Sequence, residues 1–114
     1  MVKYRDDELD KLFWALADSS RRSIVLSLRS GEVTVEELGR PLGLSTPGVM
    51  KHIAVLERSG LVASEKRGRS RFCRLEADRL IGAEEWMANV RHFWKGSLTR
   101  LANHLEAMES EEQQ

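Results

Sequence analysis

The chain has 114 residues, of which 41% are hydrophobic, and it carries 18 basic and 18 acidic side chains. A chain of this length can bury one core but not two independent cores. We therefore predict one domain over residues 1–105, followed by a polar, acidic and disordered tail over 106–114. The net charge of zero gives no argument for a nucleic-acid partner, but the charges are unevenly distributed, because segment 66–74 holds five bases and no acid.

Cysteine content and hydropathy exclude several classes of protein. The only cysteine is Cys73, so one chain can form neither a disulfide nor a metal site built from several thiolates. Residues 3–8 are rich in charge and lack the apolar core of a secretory signal, and no apolar run approaches the roughly 20 residues that span a bilayer. We therefore predict a cytoplasmic protein with no membrane partner.

Three short helices are predicted before Leu44. The first carries four apolar residues at helical spacing, namely Leu9, Leu12, Phe13 and Leu16. Residues 18–20 offer N-cap oxygens to a second helix, which Gly31 closes. Thr34 and Glu37 have the spacing of a capping box and predict a third helix that ends at Gly43.

A fourth helix is predicted almost directly after the third. Its N-cap candidate is Ser45, and Pro47 lies in the first turn, where the missing N–H of proline removes no hydrogen bond. The helix is expected to end at residues 59–60, and its inward stripe consists of Val49, Ile53 and Leu56. Two short helices joined by a glycine-containing turn form a helix-turn-helix.

Segments 61–66 and 70–75 are predicted to form a two-stranded hairpin with a basic tip, Arg67-Gly68-Arg69. A long helix is expected from the N-cap candidate Asp78 to about Leu105. Its apolar residues exceed what a domain of this size can cover alone, which favours a homodimer. The predicted fold is mainly α with a small β-hairpin: a winged helix-turn-helix of four helices, a two-stranded wing and a long C-terminal helix.

The second helix of a helix-turn-helix lies in the major groove of DNA, so residues 46–58 are the candidate reading helix. The basic hairpin, residues 66–71, is the candidate wing, which would lie along the DNA backbone or in the minor groove. Simpler roles remain open: Ser45 as only a cap, Lys51 as a solvated lysine, His52 as a packed side chain, and the arginines as a charged tip that keeps a strand edge soluble. The predicted DNA-binding residues are Ser45, Thr46, Pro47, Gly48, Met50, Lys51, His52, Arg67, Arg69 and Arg71.

An ordered set of motifs resembles the ArsR-type winged-helix regulators of bacteria. The set comprises Leu16-Ala17-Asp18-Ser19-Ser20-Arg21-Arg22, Leu38, Leu42-Gly43-Leu44-Ser45, Val49-Met50-Lys51-His52-Ile53, Val55-Leu56-Glu57, Gly60-Leu61-Val62, Gly68-Arg69 and Arg74-Leu75. This resemblance implies a dimer joined through the first and last helices, binding to an imperfect inverted repeat, and repression. The predicted dimer residues are Leu9, Leu12, Phe13, Leu16, Trp86, Val90, Trp94, Leu98, Leu101 and Leu105.

Three departures from that family bear on metals and on base preference. Members that sense metals commonly hold a cysteine pair in the first helix of the helix-turn-helix, but segment 36–40 has no thiol. A second family site uses Asp, two His and Glu on the last helix; here eleven residues instead of ten separate His92 from His104, and Val90 and Ala107 stand where the acids are expected. Met50 replaces the serine of many members, which leaves the base preference open.

The sequence therefore predicts a DNA-binding transcription regulator and not an enzyme, since no catalytic motif occurs. Double-stranded DNA and a second copy of the chain are the expected partners, with no metal and no cofactor, and the small-molecule effector is unassigned. Alternatives are a winged-helix module that binds only protein, and a repressor gated by metal at an unrecognised site. Cys73 is either a buried strand residue or an oxidant sensor.

Overall fold

The computed structural model describes residues 6–112, and its first half is a run of short helices. The order of elements is α1 (Asp6–Leu16), α2 (Ser19–Ser27), β1 (Val33–Thr34), α3 (Val35–Gly39), a 3-10 turn (Arg40–Leu42), α4 (Thr46–Arg58), β2 (Val62–Arg67), β3 (Ser70–Leu75), a second 3-10 turn (Ala77–Leu80) and α5 (Ile81–Glu112). The helix-turn-helix, the hairpin and the long last helix are therefore confirmed.

The junction between α1 and α2 is tied by side chains of its own segment. Asp18 caps α2 by accepting a hydrogen bond from the backbone N–H of Arg21 at 3.0 Å. The Arg21 guanidinium donates back to the carbonyls of Ala15 (2.6 Å) and Trp14 (3.0 Å), while Arg22 donates to another carbonyl of the last turn of α1 at 2.8 Å. These bonds satisfy carbonyls that the end of a helix otherwise leaves without partners.

The helix-turn-helix follows from two caps and two glycines. Thr34 caps α3 by accepting from the N–H of Glu37 at 3.3 Å, as the capping-box spacing predicted, and its hydroxyl donates to the Glu37 carboxylate at 3.1 Å. Gly43 has φ +65°, a conformation that glycine adopts without strain, and it turns the chain toward α4. Gly39 is needed for a different reason, because a Cβ at that position would lie 2.6 Å from Val49 Cγ2 on α4.

The sheet has one strand more than the sequence predicted. Strands β2 and β3 form the hairpin, with Arg67 opposite Ser70 at the tip, and β1 pairs with the other edge of β3, giving the order β1-β3-β2. Strand β1 has only two residues, which is too short for alternation to reveal it. Strand β2 also begins one residue later than predicted, at Val62.

Helix α5 starts later and extends further than expected. Asp78 is not its N-cap, because it lies within the 3-10 turn that precedes α5. The N–H of Ile81, the first residue of α5, donates to the backbone carbonyl of Asp78 and not to its side chain. At the other end, segment 106–112 forms the last turns of the helix where composition predicted a disordered tail. Glu, Ala and Met are good helix formers, which explains this extension. Residues 113–114 of the predicted tail lie outside the described residues.

The chain divides into two compact units, one ending at Ala83 and the other beginning at Glu84. The boundary falls within α5 and before residue 105, the predicted domain limit. The buried core of the first unit is built from every helix before the hairpin and from both hairpin strands. Its members are Leu9, Leu12, Ala15, Ile24, Leu28, Val35, Leu38, Val49, Ile53, Leu56, Leu61, Val62, Cys73 and Ala83.

Candidate nucleic-acid interface

Helix α4 buries one stripe completely and exposes the opposite one. Val49, Ile53 and Leu56 have no exposed surface, as the sequence predicted. Lys51 is exposed, and within residues 6–112 its ammonium group makes neither a hydrogen bond nor an ion pair. Its charge is therefore available to a ligand that approaches this side of α4.

The start of α4 is capped and exposed. Ser45 has extended backbone angles and its hydroxyl accepts from the N–H of Gly48 at 3.3 Å, so the predicted cap is confirmed. Ser45, Thr46 and Pro47 are all exposed. The first turn of a helix carries partial positive charge, which suits a phosphate oxygen. A Cβ at Gly48 would make only ordinary contacts, the nearest at 3.5 Å from Ser45 Oγ, so packing inside the chain does not demand glycine there.

Two residues predicted to face DNA are partly committed to the protein interior. Met50 is half-buried and packs against the core. His52 is also half-buried, and its Nδ1 lies 3.9 Å from Asp18 Oδ2, across to the α1–α2 junction. The hydrogen bond from Arg21, with smaller contributions from the charges of Arg21 and His52, lowers the pKa of the Asp18 carboxyl. For His52 the structure therefore favours an internal role over a phosphate contact.

Arg67, at the end of β2, is paired within the chain. Its Nη2 donates to Glu32 Oε1 at 2.7 Å and to Glu65 Oε2 at 3.4 Å, and its guanidinium carbon lies 4.7 Å from the centre of the Phe72 ring. The hydrogen bond to Arg67 lowers the pKa of Glu32, and the same bond raises the pKa of Arg67. This arginine therefore joins the end of β2 to the segment before β1, and its predicted contact with DNA stays a prediction.

Arg71 is also engaged. Its Nη1 donates to Ser64 Oγ at 3.1 Å, and the Ser64 hydroxyl donates to Glu57 Oε1 of α4 at 3.0 Å. Side chains alternate along a strand, so Arg71 shares its face of β3 with the buried Cys73. The side chain is thus half-buried on the α4 side of the hairpin, where the sequence predicted a residue exposed to DNA.

Two other bases of the hairpin stay uncovered. Arg69 lies in the turn and Lys66 lies opposite Arg71 on the α4 side, and both are exposed. Neither side chain has a hydrogen bond or an ion pair to any residue that the structure describes. Lys66 was missing from the predicted site. Side chains alternate along a strand, so the sequence could have shown that Lys66 and Arg67 lie on opposite faces of β2.

The predicted dimer residues fall into two groups. Leu9 and Leu12 are buried in the core of the first unit, because α1 turns them toward α2 and α4, so they have little surface left for a partner. Phe13 and Leu16 are partly buried against the same core. Helix α5 differs, since Leu98 is 59% exposed and most of its large apolar residues stay uncovered. The exposed residues among those predicted are Trp86, Trp94, Leu98, Leu101 and Leu105, while Val90 is half-buried. Other exposed apolar residues of α5, which were not among the predicted dimer residues, are Ile81, Met87, Phe93 and Met108.

Candidate ligands of other kinds are sparse. Within residues 6–112, no three His, Cys, Asp or Glu side chains come together as a possible metal site, and His92 and His104 are both exposed. Burial, more than any charge, raises the pKa of the Cys73 thiol to about 11, which keeps it protonated and unreactive at neutral pH. The buried-strand interpretation of Cys73 is therefore favoured over oxidant sensing. No helix in the described part of the chain is long and apolar enough to cross a membrane.

A helix-turn-helix followed directly by a hairpin defines the winged-helix class of DNA-binding proteins. Residues 16–65 match a family described as a helix-turn-helix domain. Over 107 residues the chain is 34% identical to the HTH-type transcriptional regulator Rv2034 of Mycobacterium tuberculosis, an alignment that covers 94% of this chain and 95% of that protein. The transcriptional repressor SdpR of Bacillus subtilis is 24% identical over 81 residues, or 71% of this chain and 90% of SdpR.

A solved structure gives the same result in three dimensions. The crystal structure of the ArsR family transcriptional regulator RHA00566 matches with a TM-score of 0.74 and 38% identity, covering 83% of this chain and 97% of that one. The chain belongs to the ArsR-type winged helix-turn-helix family of transcription regulators. This class binds DNA and is not enzymatic, so both of those predictions are confirmed.

Proposed function

We propose that this chain is a repressor that binds an inverted repeat in DNA as a homodimer, with α4 in the major groove of each half-site. The observation that carries the proposal is the division of α4 into a fully buried apolar stripe and an opposite side on which Lys51 has no partner among residues 6–112. An α-helix fits the major groove, and a lysine there can bind a guanine edge or a phosphate.

The wing, defined as the β2–β3 hairpin over residues 62–75, lies on the phosphate backbone or in the minor groove. Lys66 and Arg69 are its contact residues, because both are exposed and neither is paired inside the described chain. Arg67 and Arg71 act inside the wing instead, where each already donates to protein oxygens. Phosphate contacts of this kind fix position and supply affinity that depends on salt.

Dimerisation is supported by the surface of α5. Leu98, Leu101 and Leu105 recur every three or four residues and are each more than half exposed. Removing apolar surface from water is favourable by about 25 cal/mol per Å², so a second copy that covers this stripe gains stability from it. Two copies related by a two-fold axis would present two α4 helices to an operator with matching symmetry.

Repression is inferred from the family and from SdpR, a relative that is named as a repressor. A dimer bound across a promoter blocks access to it without any catalytic step. The cytoplasmic location is part of the proposal, and no effector is assigned to this chain.

The test is footprinting on the DNA upstream of the chain's own gene, combined with sedimentation of the free protein. We expect one species of two chains at micromolar concentration and two protected half-sites whose centres are about 34–36 Å apart, or a multiple of that spacing. A soluble monomer that protects one half-site would contradict the dimer, and uniform coverage without a footprint would contradict operator recognition.

A further inference from the structure

Two hydrogen bonds through three polar side chains join the wing to α4. They lie apart from residues 59–61, where the backbone runs from α4 into the wing. Arg71 on β3 donates to Ser64 on β2 at 3.1 Å, and Ser64 donates to Glu57 on α4 at 3.0 Å. A serine hydroxyl has one proton, and here that proton goes to the carboxylate while the oxygen accepts from the guanidinium. The bonds therefore have a fixed direction from cation through hydroxyl to anion.

The charges at the two ends lie close to the edge of the core. The charge of Glu57 contributes to raising the pKa of the Cys73 thiol and that of Arg71 opposes it, while Ser64 pairs with Cys73 across the two strands. Ser64 and Arg71 are both half-buried. Glu57 is exposed, so only the bond from Arg71 to Ser64 is shielded in part from water. Hydrogen bonds to charged groups contribute more than bonds between neutral groups.

The position of these bonds gives them a mechanical role. The base of the wing is already fixed, since the N–H of Glu76 donates to the carbonyl of Leu61 at 2.8 Å just after α4 ends. On its other side the wing is held by the pairing of β1 with β3 and by the bond from Arg67 to Glu32. The bonds through Ser64 add a direct tie between β2 and α4, so the wing keeps one position relative to α4.

We infer that Glu57, Ser64 and Arg71 are positioning residues that hold the wing so that Arg69 and Lys51 reach the same duplex together. Arg71 acts through Ser64 and does not touch DNA. This inference rests on the proposed function for the roles of Arg69 and Lys51, but the bonds themselves belong to the free protein. Without them the side of the wing that faces α4 is held less firmly and must be fixed in place when DNA binds, which costs affinity.

The deciding variant is Ser64→Ala, with Ser64→Thr as its matched control because threonine keeps the hydroxyl and suits a strand. The probes are the duplex upstream of the chain's own gene and a scrambled duplex. We expect Ser64→Ala to weaken binding to the first duplex roughly threefold to tenfold, the range that removal of one hydrogen bond gives, and Ser64→Thr to bind like the parent. Equal affinity of Ser64→Ala and the parent would overturn the inference.

A double-mutant cycle then identifies the route of the effect. If the bonds act by placing the wing, Ser64→Ala should cause no further loss of affinity once the double change Lys66→Ala and Arg69→Ala has removed both contact residues of the wing. A full loss that persists in that double-variant background would overturn the inference. So would a fall in the salt slope of about 0.9 on changing Arg71→Ala in the Ser64→Ala background, because that fall would make Arg71 a phosphate-binding residue.

Hydrogen exchange of the free protein separates this inference from the proposed function. The amides of residues 64–71 should exchange faster in Ser64→Ala than in the parent and in Ser64→Thr, with amides of α1 as an internal reference. Unchanged exchange would overturn the positioning role even where DNA binding is normal. If the double variant Lys66→Ala, Arg69→Ala binds DNA like the parent, the proposed role of the wing in binding DNA is wrong, and faster exchange in Ser64→Ala would still support the tie between β2 and α4.

Discussion

Helices α4 and α5 both leave a surface that the described chain does not cover, but the two surfaces have opposite chemistry. Helix α4 buries all three residues of its apolar stripe and exposes Lys51 and the polar residues at its start. Helix α5 exposes its apolar residues, among them Trp94 and Leu98. Polar groups are stable in water without a partner, whereas a large apolar patch is typical of an interface between proteins. Changes on α5 should therefore impair assembly, and changes on α4 should impair DNA binding alone.

The largest effect is expected from Leu98→Glu on α5. A buried and unpaired charge costs several kcal/mol, so this variant should sediment as a monomer and lose operator binding. The matched control is Thr99→Glu, which adds the same charge at the neighbouring exposed position. Sedimentation at micromolar concentration measures the oligomeric state of both variants. A dimeric Leu98→Glu protein that binds DNA with parental affinity would show that Leu98 does not lie in the dimer interface.

Lys51→Ala should produce the next largest effect, without any change in assembly. If Lys51 binds a base edge, the loss in binding free energy should be roughly 1–3 kcal/mol on the upstream duplex and smaller on a scrambled duplex. Fluorescence anisotropy with both duplexes measures this difference. Equal losses on the two duplexes would indicate that Lys51 binds a phosphate. No loss on either duplex would contradict the proposed contact between α4 and DNA.

The uncovered bases of the wing should act through salt dependence. Lys66→Ala and Arg69→Ala should each weaken binding to both duplexes alike, and each should lower the salt slope by about 0.9 for every phosphate that its side chain neutralises in the parent. A titration between low and moderate salt checks the slope. Should Arg69 enter the minor groove instead, the fall in affinity will be larger on flanks rich in A·T pairs. An unchanged slope in both variants would exclude the wing from the interface.

Arg67→Ala is the control for these two variants, because Arg67 is already paired with Glu32. We expect a parental salt slope and a slightly lower midpoint of thermal unfolding. Arg67 lowers the pKa of Glu32 below its ordinary value of 4.5, so the pairing stabilises the fold above that value and the stabilisation is lost as pH falls through the lower pKa of the folded state. The difference in stability between parent and variant should therefore shrink as pH falls below 4.5. A reduced salt slope of Arg67→Ala at neutral pH would instead indicate that Arg67 contacts DNA.

The smallest effect should come from metal. His92 and His104 lie on the exposed surface of α5, and no metal cluster occurs in the described part of the chain. A chelator or added zinc should leave DNA affinity within about threefold, which is under 1 kcal/mol. Tight zinc binding that depends on either histidine and releases DNA would contradict this, and α5 would then be a sensor as well as an interface.

Local chemistry made much of this fold predictable. Asp18, Thr34 and Ser45 each cap the helix that the sequence assigned to them, because capping depends on atoms only three residues apart. The inward stripe of α4 and the glycine turn of the wing were predictable for the same reason, because each depends on residues that are close in the sequence. Strand β1 was missed because two residues are too few for a pattern, and Asp78 was misassigned because a 3-10 turn precedes α5.

Contacts between distant residues could not be predicted in the same way. The partner of Arg67 is Glu32, which is 35 positions away and is brought near only by the pairing of β1 with β3. Leu12 and Leu98 belong to stripes of similar spacing, yet one is 3% exposed and the other 59%. Periodicity identifies an apolar stripe but not what covers it, so the predicted site mixed core residues with surface residues.

The most direct test of the central claim is to compare binding of the parent protein to the duplex upstream of its own gene and to a scrambled duplex, at two salt concentrations. We expect tighter binding to the upstream duplex at both concentrations, with affinity for both duplexes falling as salt rises. Equal affinity for the two duplexes, or binding to neither, would contradict the assignment of α4 and the wing as a surface that reads DNA sequence.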